Sequence, residues 1–308
     1  MCSRYIITRN IFHHHRRQDF VVTSSFVPYL SSKQIRSNSD SYVYIHRYIY
    51  TYIYIVLSQY HLYNLIQPII IMHGLFGSKT NWNLLSKTIH RDTDRKVITV
   101  DARNHGDSPH SSDMTYSHMA QDIVQLMNDL GFQKSILIGH SMGGSTMMYV
   151  ALNYPQLVEK LIIVDMSPVR VSPQLMEMEK IFKAMRTANL EGIPTLTKAR
   201  TIKIAFLVMN LVEADIGKYK WRVNLPVLEQ NFASQIAVFP DVGSKIYNGP
   251  TLFIGGSNSD YIRVEDHDKI KKLFPSAGFT YINGANHWVH ADKPTEFLKT
   301  TIDFVNQT

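Results

Sequence analysis

Residues 135–153 read SILIGHSMGGSTMMYVALN. The apolar run at 135–138 predicts a buried strand, and the apolar segment Met142–Asn153 predicts a helix. Between them, G-x-S-x-G at residues 139–143 is typical of a sharp turn that lifts a serine, here Ser141, above a sheet. Glycines suit this turn because they have no side chain to clash. The stretch therefore predicts a nucleophilic serine at the carboxyl end of a strand.

Similar apolar runs recur along the chain and indicate a parallel sheet. The other predicted strands are Ile69–Met72, Val97–Val100, 161–164, 251–254 and 279–282. Helical patterns lie between or after them, at 80–90, 116–130, 265–274 and 295–306. This alternation predicts an α/β fold, a doubly wound and mostly parallel sheet, over residues 68–306.

The interval 167–248 breaks this alternation. It carries helical patterns at 173–189 and 226–238 but no clear strand. An insertion of this length between two strands predicts a helical cap over the carboxyl ends of the strands, where α/β proteins bind ligands.

The first 67 residues differ in composition from the rest. Ten of the 17 tyrosines lie there, and residues 41–57 read SYVYIHRYIYTYIYIVL. Our first interpretation places this run outside the fold, as the translation of a TATATA-type repeat. An edge strand or hairpin is the second interpretation, and a membrane contact is the third. Its uncharged part is too short to predict a stable membrane span. Residues 1–36 resemble a mitochondrial presequence, with an arbitrary basic tail as the alternative.

Charge and cysteine content exclude several classes of protein. The 308-residue chain has a net charge of +7, but residues 1–67 hold seven Lys or Arg against two acids. The remainder is nearly neutral and shows no basic stripe that would predict nucleic-acid binding. The single cysteine, Cys2, excludes an internal disulfide and a cysteine-based zinc site. We expect no metal and no organic cofactor, and no sequence feature identifies a protein partner.

Two backbone N–H groups are predicted to stabilise an oxyanion. The segment HGLFG at 73–77 follows the first predicted strand, where such a loop supplies one donor. We assign the donors to Leu75 and Met142, with Phe76 as the alternate to Leu75. His73 is expected to be a structural histidine bonded to the loop.

The general base is predicted on the loop after the last strand, which reads NGANHW at 283–288. From there His287 can reach over Ser141, remove the hydroxyl proton and later protonate a leaving alcohol. His290, three residues further on, is the rival candidate.

Two carboxylates are candidates for the catalytic acid that would act with Ser141 and His287. Asp165 directly follows a predicted strand, whereas Asp260 is separated from its strand by a glycine- and serine-rich loop. Either can orient the imidazole of His287. We favour Asp165, because the end of a strand is a rigid position, and keep Asp260 as the alternative acid.

Taken together, these motifs resemble the α/β-hydrolase-domain-containing protein eleven subfamily of the α/β-hydrolase superfamily, over roughly residues 68–306. The matching blocks are HGLFGSKTNW (73–82), VDARNHGDSPHS (100–111), GHSMGG (139–144), VDMSPV (164–169), WRVNL (221–225) and NHWVHAD (286–292). The resemblance implies a serine esterase or lipase, in animals mitochondrial and acting on diacylglycerols. It also places the acid of a bacterial relative at the position of Asp165.

Three departures from the subfamily stand out. Residues 1–67 show no counterpart of the two strands that usually precede HGLFG. The cap looks shortened between residues 200 and 207, and Pro226 stands where relatives often carry Asp.

The leading functional prediction is a serine hydrolase that cleaves carboxylic esters of lipid-like substrates through an acyl-enzyme on Ser141. The alternative is a catalytically impaired truncated variant, or a non-enzymatic binding protein on the same fold. An epoxide hydrolase or dehalogenase needs a carboxylate nucleophile, which the serine at the turn argues against.

Overall fold

Short aliphatic runs form a parallel sheet in the computed structural model of the protein. The strands, in chain order, are β1 Ile69–Met72, β2 Val97–Val100, β3 Ser135–His140, β4 Val158–Val164, β5 Leu211–Asp215, β6 Lys218–Trp221, β7 Thr251–Gly256 and β8 Ala277–Ile282. In the described part of the chain, six of them form one sheet in the order β2-β1-β3-β4-β7-β8. All its pairings are parallel. Ile, Val and Leu suit strands that are buried on both faces.

The structure describes residues 66–173, 178–188, 190, 207–215 and 218–307. Those from Gln67 onward belong to one compact unit. The predictions for the presequence and for the tyrosine-rich run lie outside the described residues, and so does almost all of the segment predicted to shorten the cap.

Helices connect the strands. They are α1 Asn83–Thr93, α2 Tyr116–Asp129, α3 Met142–Asn153, α4 Met178–Thr187, α5 Leu225–Asn231, α6 His267–Leu273, α7 Val289–Asp292 and α8 Pro294–Asn306. Helix α2 shows how the sequence determines where a helix begins and which face is buried. The Thr115 side chain accepts a hydrogen bond from the His118 N–H, which caps the helix, and the stripe that includes Met119 and Ile123 is buried. The predicted α/β fold with a doubly wound, mostly parallel sheet is confirmed.

The cap corrects one expectation. The interval between β4 and β7 contains the predicted helices α4 and α5, the latter continued by a π-helical turn at Phe232–Ile236. It also contains an antiparallel pair, β5 and β6, in a segment whose sequence shows no clear strand. The sequence gives a weak strand signal there because most residues of the pair are exposed or only partly buried.

The register of the sheet aligns the carboxyl ends of its central strands. His140 at the end of β3 lies beside Val164 at the end of β4, and Val164 lies beside Ile254 of β7. Residues that directly follow these strands therefore meet at one edge of the sheet, which is where Ser141 and Asp165 occur.

Candidate active site

Ser141 occupies a strained turn between β3 and α3. Its φ of 53° and ψ of −117° are unfavourable for a residue other than glycine, at a cost of about 1–3 kcal/mol. Two backbone hydrogen bonds hold the turn: the Ser141 N–H donates to the Val164 carbonyl, and the Ser145 N–H donates to the Ser141 carbonyl. Ser141 is 9% exposed. The backbone thus keeps this hydroxyl at the carboxyl edge of the sheet.

The glycines of the motif are required by close backbone approaches. A Cβ atom on Gly139 would lie 2.3 Å from the Gly143 carbonyl oxygen. A Cβ on Gly143 would lie 2.5 Å from the carbonyl oxygen of Met72, at the end of β1. The two glycines therefore allow the turn to close on itself and the start of α3 to rest on β1.

Asp165 and His287 form a hydrogen-bonded pair. Nδ1 of His287 donates to Oδ2 of the fully buried Asp165 over 2.7 Å. The carboxylate also accepts hydrogen bonds from the Gly256 N–H at Oδ1 and from the Ser259 hydroxyl at Oδ2. Because Nδ1 carries the proton, Nε2 of the neutral imidazole keeps its lone pair. That tautomer can accept a proton.

The two rival candidates lie in other surroundings. Asp260 accepts a hydrogen bond from the Ser172 hydroxyl and lies 3.9 Å from the Arg263 guanidinium. His290 is buried and stacks on Trp82, with ring centroids 4.3 Å apart. Burial lowers the pKa of His290 to about 3, so its ring is neutral. The structure thus brings Asp165, and not Asp260, to His287.

The loop after β1 is fixed around one carbonyl group. The Gly74 carbonyl accepts hydrogen bonds from the Gly77 N–H over 2.9 Å and from Nδ1 of His73 over 2.7 Å. Nε2 of His73 accepts from the Ala102 N–H, so the proton of this ring is on Nδ1. Burial lowers the pKa of His73. The expected structural role of His73, bonded to the loop, is confirmed.

This arrangement sets the direction of the Leu75 N–H. In a trans peptide the carbonyl of Gly74 and the N–H of Leu75 point in opposite directions. Because the carbonyl is held from one side, the N–H points to the other. The loop also runs beside the nucleophile turn, since a Cβ on Gly74 would lie 3.1 Å from Cβ of Ser141. Met142 begins α3, where N–H groups have no acceptor within the helix.

His140 and Tyr261 lie next to His287, and neither was predicted to belong to the site. Nε2 of His140 donates to the His287 carbonyl over 2.9 Å, and the two ring centroids are 4.8 Å apart. Burial, followed by the neighbouring histidines, lowers the pKa of His140 well below its ordinary value. Tyr261 stacks on the His287 ring, with centroids 3.8 Å apart. The position of His140 inside the motif was a usable signal, whereas nothing in the sequence singled out Tyr261.

The described residues contain neither a metal-binding cluster of side chains nor a membrane-spanning helix. Among those residues, no group of three or more His, Cys, Asp or Glu side chains is placed to hold a metal ion. No helix in the described part is both long and apolar enough to cross a bilayer.

Comparisons with known proteins agree on one fold. A family model described as alpha/beta hydrolase fold matches residues 67–194. The chain is 45% identical over 251 residues to the sn-1-specific diacylglycerol lipase ABHD11 of Xenopus tropicalis, covering 77% of each protein. It is 43% identical to the protein of that name from Mus musculus, covering 77% of this chain and 80% of that one. A solved marine microorganism esterase is 33% identical, with a TM-score of 0.72 over 78% of this chain and 95% of its own.

Proposed function

Because this chain belongs to the α/β-hydrolase family and resembles ABHD11 within it, we propose that it hydrolyses an acyl ester of a diacylglycerol-like lipid through an acyl-enzyme on Ser141. The chain is a serine carboxylic ester hydrolase. The observation that carries the proposal is the 2.7 Å hydrogen bond between Asp165 and His287, at the sheet edge that holds the strained Ser141 turn.

Acylation starts with attack of the Ser141 hydroxyl oxygen on the ester carbonyl carbon. As the new carbon–oxygen bond forms, the hydroxyl proton passes to Nε2 of His287. Asp165 holds the imidazole in the receptive tautomer and stabilises the imidazolium that results. The tetrahedral intermediate then breaks its bond to the alcohol oxygen, and the imidazolium protonates that oxygen, which releases the alcohol.

The carbonyl oxygen carries the negative charge of the tetrahedral intermediate. We assign the Leu75 and Met142 N–H groups to this oxyanion. The assignment of Leu75 is supported by the hydrogen bonds that hold the peptide group before it. The assignment of Met142 is supported by its place at the start of α3, where an N–H has no acceptor within the helix. Donors fixed before the reaction need no reorganisation when the charge develops.

Deacylation repeats these reaction steps with a water molecule as the nucleophile. His287 removes a proton from a water molecule, whose oxygen attacks the acyl carbon. The bond to Ser141 then breaks, its oxygen regains the proton from the imidazolium, and the fatty acid leaves. Atoms balance over the cycle: one ester and one water give one acid and one alcohol.

The lipid class of the substrate rests on the relatives and on the cap. The relatives are named for diacylglycerol, and the cap contributes buried apolar side chains, including Phe182 and Met185 of α4. Phe182 packs against Phe76 of the loop after β1, so the cap is apolar next to the proposed site, and apolar surroundings suit acyl chains.

The test is a panel of short-chain, monoacyl and diacyl esters. We expect the chain to prefer diacyl esters, and Ser141→Ala to lower kcat by about 10⁴ or more. Ser276→Ala is the matched control, because Ser276 is exposed and its hydroxyl bonds to the Asn248 carbonyl. Undiminished hydrolysis by Ser141→Ala would overturn the mechanism. A preference for short esters would overturn the lipid assignment.

We propose a mitochondrial location, based on the family resemblance and on the basic residues 1–36, with the cytoplasm as the alternative. Import of a reporter fused to residues 1–67 into isolated mitochondria tests it, and a reporter left outside would contradict it.

A further inference from the structure

We infer that Asn210, a residue of the cap, is a positioning residue for the loop at residues 73–77, which we call the oxyanion-binding loop. It holds the carbonyl of Phe76 and so keeps the neighbouring Leu75 N–H in place. The inference rests on the proposed role of Leu75. It makes the cap part of the acylation step as well as of substrate access.

The contact joins distant parts of the chain. Nδ2 of Asn210 donates to the Phe76 carbonyl over 2.7 Å, across 134 residues of sequence. Asn210 is 2% exposed, so water does not compete strongly for this bond. Its own carbonyl accepts the Arg222 N–H over 2.6 Å, just beyond β6. Asn210 is therefore fixed within the cap while it contacts the loop.

Phe76 needs external support. Its φ of 60° lies in the left-handed region, which residues with a side chain adopt only when their surroundings enforce it. The ring is buried and meets Phe182 of α4 edge-on, with centroids 5.2 Å apart. Phe182 in turn packs on Phe232. Both the ring and the carbonyl of Phe76 are thus held by cap residues.

Two hydrogen-bonded peptide groups connect the Asn210 contact to the orientation of the Leu75 N–H. The Phe76 carbonyl and the Gly77 N–H belong to one planar peptide, so Asn210 fixes the direction of both. The Gly77 N–H donates to the Gly74 carbonyl, which belongs to the peptide that carries the Leu75 N–H. If the first peptide rotates, one of the two hydrogen bonds that orient the second is lost, and only the bond from His73 remains.

A second asparagine of the cap provides a matched control. Nδ2 of Asn224 donates to the side-chain oxygen of Asn104 over 3.0 Å, and its backbone N–H donates to the Asn104 carbonyl. Asn224→Ala therefore also removes a hydrogen bond donated by a side-chain amide of the cap to the rest of the molecule, but this bond goes to a side-chain oxygen away from the oxyanion-binding loop. Both alanine variants should lose thermal stability.

The test compares the full-length wild type, Asn210→Ala and Asn224→Ala with one diacyl ester. We expect Asn210→Ala to lower kcat about 10- to 100-fold with little change in KM, less than the loss of an oxyanion donor itself. Asn224→Ala should keep kcat within about threefold of the wild type. Asn210→Leu has a branched side chain of similar shape and no donor, and should behave as Asn210→Ala where alanine impairs folding. Each variant is assayed below its own melting midpoint.

A trifluoromethyl ketone separates positioning from general loosening. Ser141 bonds to the ketone carbon, its proton passes to His287, and the ketone oxygen becomes an oxyanion. The affinity for this compound should fall by the same factor as kcat/KM in the Asn210 variants. Unchanged ketone affinity, or a kcat no lower than that of Asn224→Ala, would overturn the inference. An active Ser141→Ala would instead overturn the proposed function.

Discussion

Nδ1 of His287 lies 2.7 Å from Oδ2 of Asp165, across 122 residues of sequence. The two residues follow β8 and β4, which are separated in the sheet only by β7. The intervening strand contributes to the pair, because the Gly256 N–H at its end donates to the other oxygen of the carboxylate. The hydrogen bond from the Gly256 N–H to Oδ1 fixes Oδ2 as the carboxylate oxygen that faces the imidazole.

We predict that Asp165→Asn lowers kcat by about 10⁴ while the protein stays folded. The Gly256 N–H can only donate, so it selects the amide oxygen of the new asparagine. The amide NH₂ then faces His287 and forces the ring to carry its proton on Nε2. In that tautomer the imidazole cannot accept the proton of Ser141.

Steady-state measurement of kcat for Asp165→Asn and for Asp260→Asn tests this prediction. The Asp260 variant should keep kcat within about threefold, since Asp260 bonds to Ser172 and not to the imidazole. A larger loss in Asp260→Asn than in Asp165→Asn would reverse the assignment of the acid.

We predict that Gly143→Ala is destabilised by about 1–3 kcal/mol and loses activity. The added methyl group would lie 2.5 and 2.6 Å from the carbonyl oxygens of Met72 and His73, which cannot move without shifting the oxyanion-binding loop. Gly278→Ala is the control, because its methyl group would meet nothing closer than 3.8 Å. Denaturant unfolding measures both. Equal stability of the two variants would show that the turn is looser than described.

We predict that stability falls as the pH drops below 6.5. Burial lowers the pKa values of His105 and His290 to about 3, whereas the unfolded chain titrates near the ordinary value of 6.5. The unfolded state therefore binds more protons between these values. Each residue should lower the free energy of unfolding by about 1.4 kcal/mol at pH 5.5 relative to pH 7.5.

Denaturant unfolding at the two pH values measures this loss. His290→Gln should remove about one residue's share of the pH dependence, although it also lowers stability at both values by losing the stack on Trp82. A protein as stable at pH 5.5 as at pH 7.5, or an unchanged dependence in the variant, would contradict the prediction.

Much of the site was predictable because local rules govern it. The nucleophile turn needs glycines at fixed spacing from Ser141, and the clashes that a Cβ would cause at Gly139 and Gly143 give the reason. The choice between Asp165 and Asp260 was not settled by the sequence alone, because both follow strands of the same sheet. Sheet order does not select the acid either, because β7, which precedes Asp260, is the direct neighbour of β8. The three-dimensional course of the loop after β7 decides, since it leaves Asp260 bonded to Ser172 while Asp165 meets His287.

The unpredicted features depend on contacts between distant segments. The bond from Asn210 to Phe76 has no local signature, and a positive φ at Phe76 is not expected for a side chain of that size. The β5–β6 pair was missed because one of its strands, KYKW, has no buried residue. Such strands are stabilised mainly by pairing with each other, and pairing is not visible in single-strand patterns.

Whether Ser141 is the nucleophile is tested by the mass of the full-length protein after reaction with a fluorophosphonate, followed by peptide mapping. We predict one adduct per chain, on the peptide that contains Ser141, with no adduct in Ser141→Ala and slow labelling in His287→Ala. A folded wild-type protein that stays unlabelled, or that carries the adduct on another residue, would contradict it.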